Sequence, residues 1–116
     1  MTENSVLLVL SNPAEGQEDA YNEWYDQTHL ADVLKVPGVC AAQRYELAPM
    51  NSPEAEGMGS PAHRYLATYE LDGDPDEVMA EFLRRIGAGE MTLSESLDMG
   101  TIVMTSWRPH GPRRTA

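Results

Sequence analysis

The stretch YNEWYDQTHLADVLKVPGV, residues 21–39, carries the most regular pattern in the chain. Aromatic, acidic and apolar residues recur in it at helical spacing, and the pattern ends at Pro37-Gly38. Proline disfavours helical backbone at the residue before it, and glycine permits the turn that follows. The stretch and the residues just before it therefore predict a helix over residues 17–34, followed by a turn into a strand.

A helical wheel at about 100° per residue defines the apolar stripe of this helix. Tyr25 lies just past one edge of the stripe, and His29 lies one helical turn further along the same side. Val33 falls off the stripe, which predicts a bend or a restart of the helix near Thr28. His29 is therefore expected at the border of the buried face. The stripe itself consists of Ala20, Tyr21, Trp24, Thr28 and Ala31.

Four strands and a second helix are predicted around the first helix. Residues 6–10 form a continuous apolar run, whereas residues 39–47 and 64–71 alternate in polarity, as half-buried strands do. The second helix begins at Asp74-Pro75, because Asp suits the N-cap and proline suits the first helical position. The predicted segments are strands over 6–10, 39–47, 64–71 and 101–107, a helix over 74–87, a long mobile loop over 48–62 and a frayed tail over 108–116.

The second strand presents two different faces if its alternation is regular. Val39 and Tyr45 then lie on one face, and Cys40 and Arg44 lie on the other. Arg44 and Tyr45 are therefore not expected to share a face. Cys40 is interpreted as a small buried apolar residue rather than a nucleophile, because no histidine is near it in the sequence.

The order of the elements is β-α-β-β-α-β, which predicts a ferredoxin-like α+β fold. This fold has a four-stranded antiparallel sheet with two helices on one face, and residues 1–116 are expected to form a single domain of this kind. The first and last strands are apolar on both faces, although a sheet with one solvated face should alternate. A second copy packed sheet against sheet would cover the outer face, which predicts a homodimer. Shielding by the long loop or the tail is the alternative.

Composition excludes several classes of partner. The chain has 116 residues, a formal net charge of -11 and a single cysteine. Such an acidic protein lacks the cationic face that nucleic acid or an anionic membrane surface requires. The sequence contains no apolar run of membrane-spanning length, no signal-peptide pattern and no Cys/His cluster with zinc-site spacing. We therefore expect a cytoplasmic protein that binds no metal and has neither nucleic acid nor membrane as a partner.

His29 is the main candidate for chemistry. Imidazole has an unperturbed pKa of about 6.5, so it can accept and return a proton near neutral pH. Asp26 and Asp32 are each three residues away and are candidates to orient the ring. The competing interpretation is a structural histidine that stabilises the end of the helix or bonds a backbone carbonyl.

The residues NEWYDQTHLADVLKVPGV, followed by AAQRYEL, resemble the EthD-like family of the dimeric α/β-barrel superfamily. This family shares a WYxxxHxxxxxxxPG signature on the first helix and an RY pair on the next strand. The resemblance implies a homodimer, a pocket between the sheet and the helices, and His29 as a catalytic acid or base. The matching positions are Trp24, Tyr25, His29, Pro37, Gly38, Arg44 and Tyr45.

The resemblance implies a small cofactor-independent enzyme that acts on a hydrophobic carbonyl, lactone or polyketide-like compound by isomerisation, cyclisation or lyase chemistry. In this interpretation His29 moves the proton, Tyr25 and a strand tyrosine hydrogen-bond the developing enolate, and Arg44 anchors an acidic group. A cofactor-free monooxygenase of aromatic substrates and a non-catalytic dimer that binds an apolar ligand are the alternatives. The predicted site consists of the catalytic residues His29 and Tyr25 and the substrate-binding residues Trp24, Arg44, Tyr45, Tyr65, Tyr69 and His63.

Several of these residues have simpler interpretations. Tyr65 and Tyr69 share one strand face and are also explained as core rings with a polar tip. His63 is also explained as an exposed histidine at the start of a strand. Haem ligation by His29 is a further alternative, and a flavin or nicotinamide site is not predicted because no glycine-rich turn joins a strand to a helix.

Overall fold

The computed structural model describes residues 4–116, which form a four-stranded sheet covered on one face by helices. The strands are β1 (Ser5–Ser11), β2 (Val39–Glu46), β3 (Tyr65–Leu71) and β4 (Val103–Trp107). Their order in the sheet is β2-β3-β1-β4, and all neighbouring pairs are antiparallel. The predicted ferredoxin-like arrangement is confirmed, although the last strand begins two residues later than predicted.

The helices are α1 (Glu18–Trp24), α2 (Leu30–Leu34) and α3 (Pro75–Gly87), and a π-helical turn (Tyr25–His29) joins α1 directly to α2. As predicted, Asp74 caps α3, because the backbone N–H of Asp76 donates a hydrogen bond to its carboxylate over 2.8 Å. No helix within residues 4–116 is long and apolar enough to cross a membrane.

The inner face of the sheet, which the helices cover, holds most of the core. Val9 on β1 lies opposite Ala67 on β3, and both are buried. Tyr69 and Leu71 extend the same face, and Tyr21 of α1 packs against it with no exposed surface. The alternation that the sequence predicts for β3 therefore directs its apolar residues toward the helices.

A β-bulge at the start of β2 changes which residues face the helices. Val39 pairs with Leu71, but Ala41 already pairs with Glu70, so Cys40 is the extra residue. The bulge places Val39 on the same inner face as Arg44, contrary to the prediction from strict alternation. It also leaves Cys40 exposed, so the prediction of a buried cysteine is wrong.

The first helix buries a different stripe from the one predicted. Its buried side chains recur every four residues, at Tyr21, Tyr25, His29 and Val33. In a regular α-helix a spacing of four advances by about 40°, so such a series would drift away from the sheet. The π-helical turn has wider hydrogen-bonded loops, and it corrects this drift in the middle of the series.

The predicted stripe is therefore wrong in three of its positions. Ala20, Thr28 and Ala31 are exposed. His29 lies within the buried face rather than at its border, with 6% of its surface exposed. The predicted irregularity near Thr28 is present, and it is this irregularity that brings His29 inside.

The turn after α2 approaches the loop before α3 closely. Gly38 has a φ of +96°, and its carbonyl accepts a hydrogen bond from the backbone N–H of Asp72 over 2.9 Å. A β carbon on residue 38 would lie 2.7 Å from Cγ2 of Val78, a buried residue of α3. Glycine is required here both for its backbone conformation and for the space it leaves.

Replacing Gly38 with alanine is expected to lower the free energy of unfolding by about 2–4 kcal/mol, from left-handed backbone strain and core overpacking together. Urea denaturation measures the change. Gly87→Ala is the matched control, because a β carbon there meets no atom within 4 Å. Equal stability of the two variants would contradict the role assigned to Gly38.

Candidate active site

A cavity of about 130 Å³ lies between the inner face of the sheet and the helices. Its wall is apolar for the most part, with side chains such as Val33 and Phe82 from the helices and Leu7 from β1. Within residues 4–116, the polar side chains that line it are those of Tyr25, His29 and Tyr69. The cavity thus combines an apolar space with three groups that can exchange or share protons.

The side chain of His29 lines the cavity, and its Nδ1 has no hydrogen-bond partner within residues 4–116. Nδ1 is buried, and none of the described residues lies within hydrogen-bonding distance of it. The ring stacks on Trp24, with centroids 4.5 Å apart, and meets the ring of Tyr25 edge-on at 5.0 Å. Buried polar atoms in native proteins are nearly always paired, so an unpaired nitrogen in a residue that lines a cavity points to a ligand or a reaction.

Burial lowers the pKa of His29 to about 4, against a small opposing effect of the Asp32 carboxylate. The imidazole is therefore neutral at pH 7 and can act as a base. Neither Asp26 nor Asp32 bonds the ring, contrary to the expectation that one of them orients it. Asp26 instead pairs with Arg44 over 2.7 Å.

Tyr25 and Tyr69 place two hydroxyl groups beside the cavity. The hydroxyl of Tyr69 donates a hydrogen bond to that of Tyr25 over 3.3 Å. Burial raises the pKa of Tyr25 to about 12 and raises the pKa of Tyr69 as well. Both phenols are protonated at pH 7. Because the single O–H of Tyr69 is already donated to Tyr25, the O–H of Tyr25 is the one that can donate to an oxygen in the cavity.

Arg44 lies outside the cavity, on the inner face of β2. Its guanidinium stands over the ring of Tyr25, with Cζ 4.4 Å from the centroid, and also contacts the rings of Tyr21 and Tyr65. Its terminal nitrogens donate to Asp26 over 2.7 Å and to Asn22 over 2.8 Å. Tyr25 therefore stands between Arg44 and the cavity.

Three more of the predicted site residues are not brought to the cavity. Tyr45 lies on the outer face of the sheet and is 52% exposed. Nε2 of His63 is bonded to the carbonyl of Thr101 over 2.6 Å. Tyr65 lies on the inner face beyond Arg44, where its hydroxyl donates to the carboxylate of Glu18 over 2.5 Å. The structure thus gathers His29, Tyr25, Tyr69 and, behind the imidazole, Trp24.

Residues 88–102, which have no regular structure, supply a part of the cavity wall that the sequence pattern did not predict. Leu97 forms an isolated bridge with Pro13, and Asp98 donates its backbone N–H to the carbonyl of Asn12 over 3.0 Å. These bonds hold Leu97 and Met99 against the cavity. The segment has no helical or strand period, so its leucines and methionines were the only available signal.

No protein-family model and no curated protein matches the sequence. Among solved structures, a candidate monooxygenase from Shewanella loihica PV-4 is 11% identical with a TM-score of 0.63, over 97% of this chain and 99% of that chain. An EthD family protein from Bacillus halodurans C-125 is 17% identical with a TM-score of 0.54, over 92% and 99% of the two chains. A dimeric ferredoxin-like protein of unknown function from Jannaschia sp. CCS1 is 16% identical with a TM-score of 0.52, over 91% and 99%.

These identities establish likeness of fold, and the likeness extends over nearly the whole of each chain. A fold of this kind supports many unrelated activities, so function depends on the residues of the site. The chain has the ferredoxin-like fold that it shares with these EthD family and ferredoxin-like proteins, as the order of its elements predicted.

Proposed function

We propose that the protein is a cofactor-independent enzyme that moves a proton on a hydrophobic carbonyl compound, with His29 as the acid/base group. The observation that carries the proposal is that His29, whose buried Nδ1 has no partner among the described residues, lines an apolar cavity. A structural histidine would be expected to bond a carbonyl or a carboxylate. This imidazole does neither through Nδ1, and its side chain lines the cavity in which a ligand would lie.

The two neighbouring phenols, Tyr25 and Tyr69, are placed to stabilise the negative charge that removal of the proton creates. Removal of a proton next to a carbonyl places negative charge on the carbonyl oxygen, which hydrogen-bond donors in a dry site stabilise. Tyr25 is such a donor, because it lines the cavity and burial keeps it protonated. Tyr69 supports it by donating its own hydroxyl proton to the oxygen of Tyr25. Isomerisation, cyclisation and lyase reactions of ketones, lactones or polyketide-like compounds all pass through such an enolate.

A deuterium-exchange assay tests the proposal. Small ketones and lactones are incubated with the protein in D2O, and loss of the C–H signal next to the carbonyl is followed by proton NMR. We expect exchange faster than in buffer alone, without oxygen uptake. A full panel that exchanges at the buffer rate would contradict the proposal.

Two other functions give different results in the same assay. A cofactor-free monooxygenase, favoured by the fold likeness to the candidate monooxygenase, would consume oxygen and yield an oxidised product. A non-catalytic dimer that sequesters an apolar ligand, favoured by the apolar cavity wall, would bind the compounds without exchange or oxygen uptake.

We also infer that two copies pack sheet against sheet. A row of apolar residues crosses the outer face of all four strands, and it consists of Tyr45, Leu66, Leu10 and Val103 in register. Tyr45 and Val103 are 52% and 40% exposed, and Trp107 on the same face is 59% exposed. An apolar sheet face of this extent marks an interaction surface, and the similar Jannaschia protein is dimeric.

Replacing Val103 with lysine is expected to weaken the dimer by at least about tenfold, because the ammonium group would be buried unpaired in the interface. Analytical ultracentrifugation over a concentration series measures the dissociation constant. Leu34→Lys is the control, because Leu34 is 44% exposed on α2, away from the outer face. A monomeric wild type would refute the dimer, and equal weakening by both variants would refute its location.

A further inference from the structure

We infer that the cavity takes an uncharged ligand of about one six-membered ring, which enters between Leu83 and Met99. The inference rests on the proposed function for the role of His29, and it goes beyond it by assigning the charge, the size and the route of the substrate. It departs from the prediction that Arg44 anchors an acidic group of the substrate.

The charge of the ligand follows from the lining of the cavity. Within the described part of the chain, no lysine or arginine side chain lines it. His29 is neutral at pH 7, and the protonated hydroxyls of Tyr25 and Tyr69 carry no positive charge. A carboxylate placed in this space would lose its hydration without gaining an ionic partner, which is strongly unfavourable.

Arg44 cannot supply that partner without rearrangement. Its guanidinium is on the other side of the Tyr25 ring, and two of its nitrogens already donate to Asp26 and Asn22. The Asp26 carboxylate also neutralises its charge locally. The formal net charge of the protein, -11, repels anions further.

The size of the ligand follows from the volume of the cavity. The cavity measures about 130 Å³, and an apolar protein cavity of about 150 Å³ holds one benzene molecule. Pockets for drug-sized ligands start at about 300 Å³, so a polycyclic compound exceeds the space available. A single ring is therefore about the largest body that fits, and one carbonyl group on it suits the three polar groups.

The route follows from two residues that line the cavity and are also exposed. Leu83 of α3 is 58% exposed, and Met99 is 56% exposed. Both therefore form the rim at which the cavity meets solvent, between α3 and the irregular segment that carries Met99. Methionine is unbranched and flexible, so the side chain of Met99 can set the width of this opening.

Acetophenone and benzoate test the charge, because they have the same ring and the same number of heavy atoms but differ in charge. Backbone amide NMR shifts of the lining residues are followed at pH 7.5, in low salt and in about 0.5 M salt, which screens long-range repulsion. We expect acetophenone to bind at least tenfold more tightly than benzoate at both salt concentrations. Benzoate binding as tightly as acetophenone, or no saturable shift with acetophenone, would overturn the inference.

1-Tetralone, a neutral bicyclic ketone, tests the size and the route. We expect it to bind Met99→Ala at least tenfold more tightly than wild type, because Met99 lines the cavity and its truncation enlarges the space as well as the opening. Met50→Ala is the matched control, since Met50 is 71% exposed in the loop after β2 and does not line the cavity. Equal affinity of wild type and Met99→Ala would overturn the role of Met99.

These binding results are separable from the proposed function. Deuterium exchange by a protein that binds benzoate as tightly as acetophenone would leave the acid/base proposal standing and refute the neutral-ligand inference. Selective binding of acetophenone without exchange of any ketone would refute the acid/base proposal and leave the inference standing.

Discussion

Replacing His29 with glutamine is expected to lower the rate of catalysed deuterium exchange by about 10²–10⁴, the usual contribution of a positioned general base. Glutamine keeps a polar side chain of similar length, but its amide cannot accept a proton at neutral pH. Tyr25 and Tyr69 remain in place, so binding of a neutral ketone should change much less than turnover. Proton NMR of the ketone in D2O measures the rate, and shift titration measures the affinity.

The pH dependence of the wild-type rate gives an independent check on this prediction. Because the pKa of His29 is lowered to about 4, the base should be neutral throughout the neutral range. The rate should therefore stay level from pH 8 to pH 6 and decline only toward pH 4. A rate that instead falls with a midpoint near 6.5 would indicate a solvated histidine.

His110→Gln is the matched control for the rate, because His110 is exposed in the tail after β4. It should exchange protons at the wild-type rate. Unchanged exchange in His29→Gln, in a variant that melts as a folded protein, would remove His29 from the mechanism. Loss of exchange in both variants would point to a shared structural defect.

The second large effect concerns stability, which His29 is expected to make dependent on pH. In the unfolded chain its imidazole takes up a proton below about pH 6.5, but in the folded protein the pKa is about 4 because the ring is buried. Between these values the unfolded state binds more protons, so the free energy of unfolding falls as pH falls. The contribution of the neutral, buried His29 to the free energy of unfolding is complete above pH 6.5, and about 3 kcal/mol of it is lost by pH 4.

His29→Phe isolates this contribution, because phenylalanine keeps an aromatic ring beside Trp24 and does not titrate. The stability difference between wild type and variant should shift by about 3 kcal/mol between pH 7 and pH 4, in favour of the variant at low pH. Urea denaturation at a series of pH values measures it. The free energy of unfolding of His110→Gln should vary with pH in the same way as that of wild type. The same pH dependence in His29→Phe would contradict the burial assigned to His29.

The element order could be predicted from the sequence because each element carries its own local signal. The run at residues 6–10, the turn at Pro37-Gly38 and the cap at Asp74 set strand and helix boundaries through short-range sterics and hydrogen bonds. The sequence also indicated that the outer face of the sheet is apolar, because β1 is apolar on both sides. For these reasons the fold, and the family resemblance around His29, follow from the sequence alone.

Contacts between residues that are distant in the sequence determined two features that the sequence pattern did not predict. The bulge at Cys40 places Val39 and Arg44 on the inner face together, and it depends on pairing with the distant strand β3. Residues 88–102 have no period, so only their bonds to Asn12 and Pro13 determine that Leu97 lines the cavity. Neither feature has a periodic signal in the residues that form it.

The first helix shows most clearly which features its own sequence determined and which depended on tertiary packing. Its sequence determined that residues 21–39 form a helix and a turn, and that His29 is its one imidazole. A uniform α-helical period then placed Ala20 and Ala31 inside and His29 at the edge. Packing against the sheet favours burial of four large side chains spaced by four residues, from Tyr21 to Val33. Only a π-helical turn keeps that series on one face, so tertiary packing, rather than local propensity, carries His29 into the cavity.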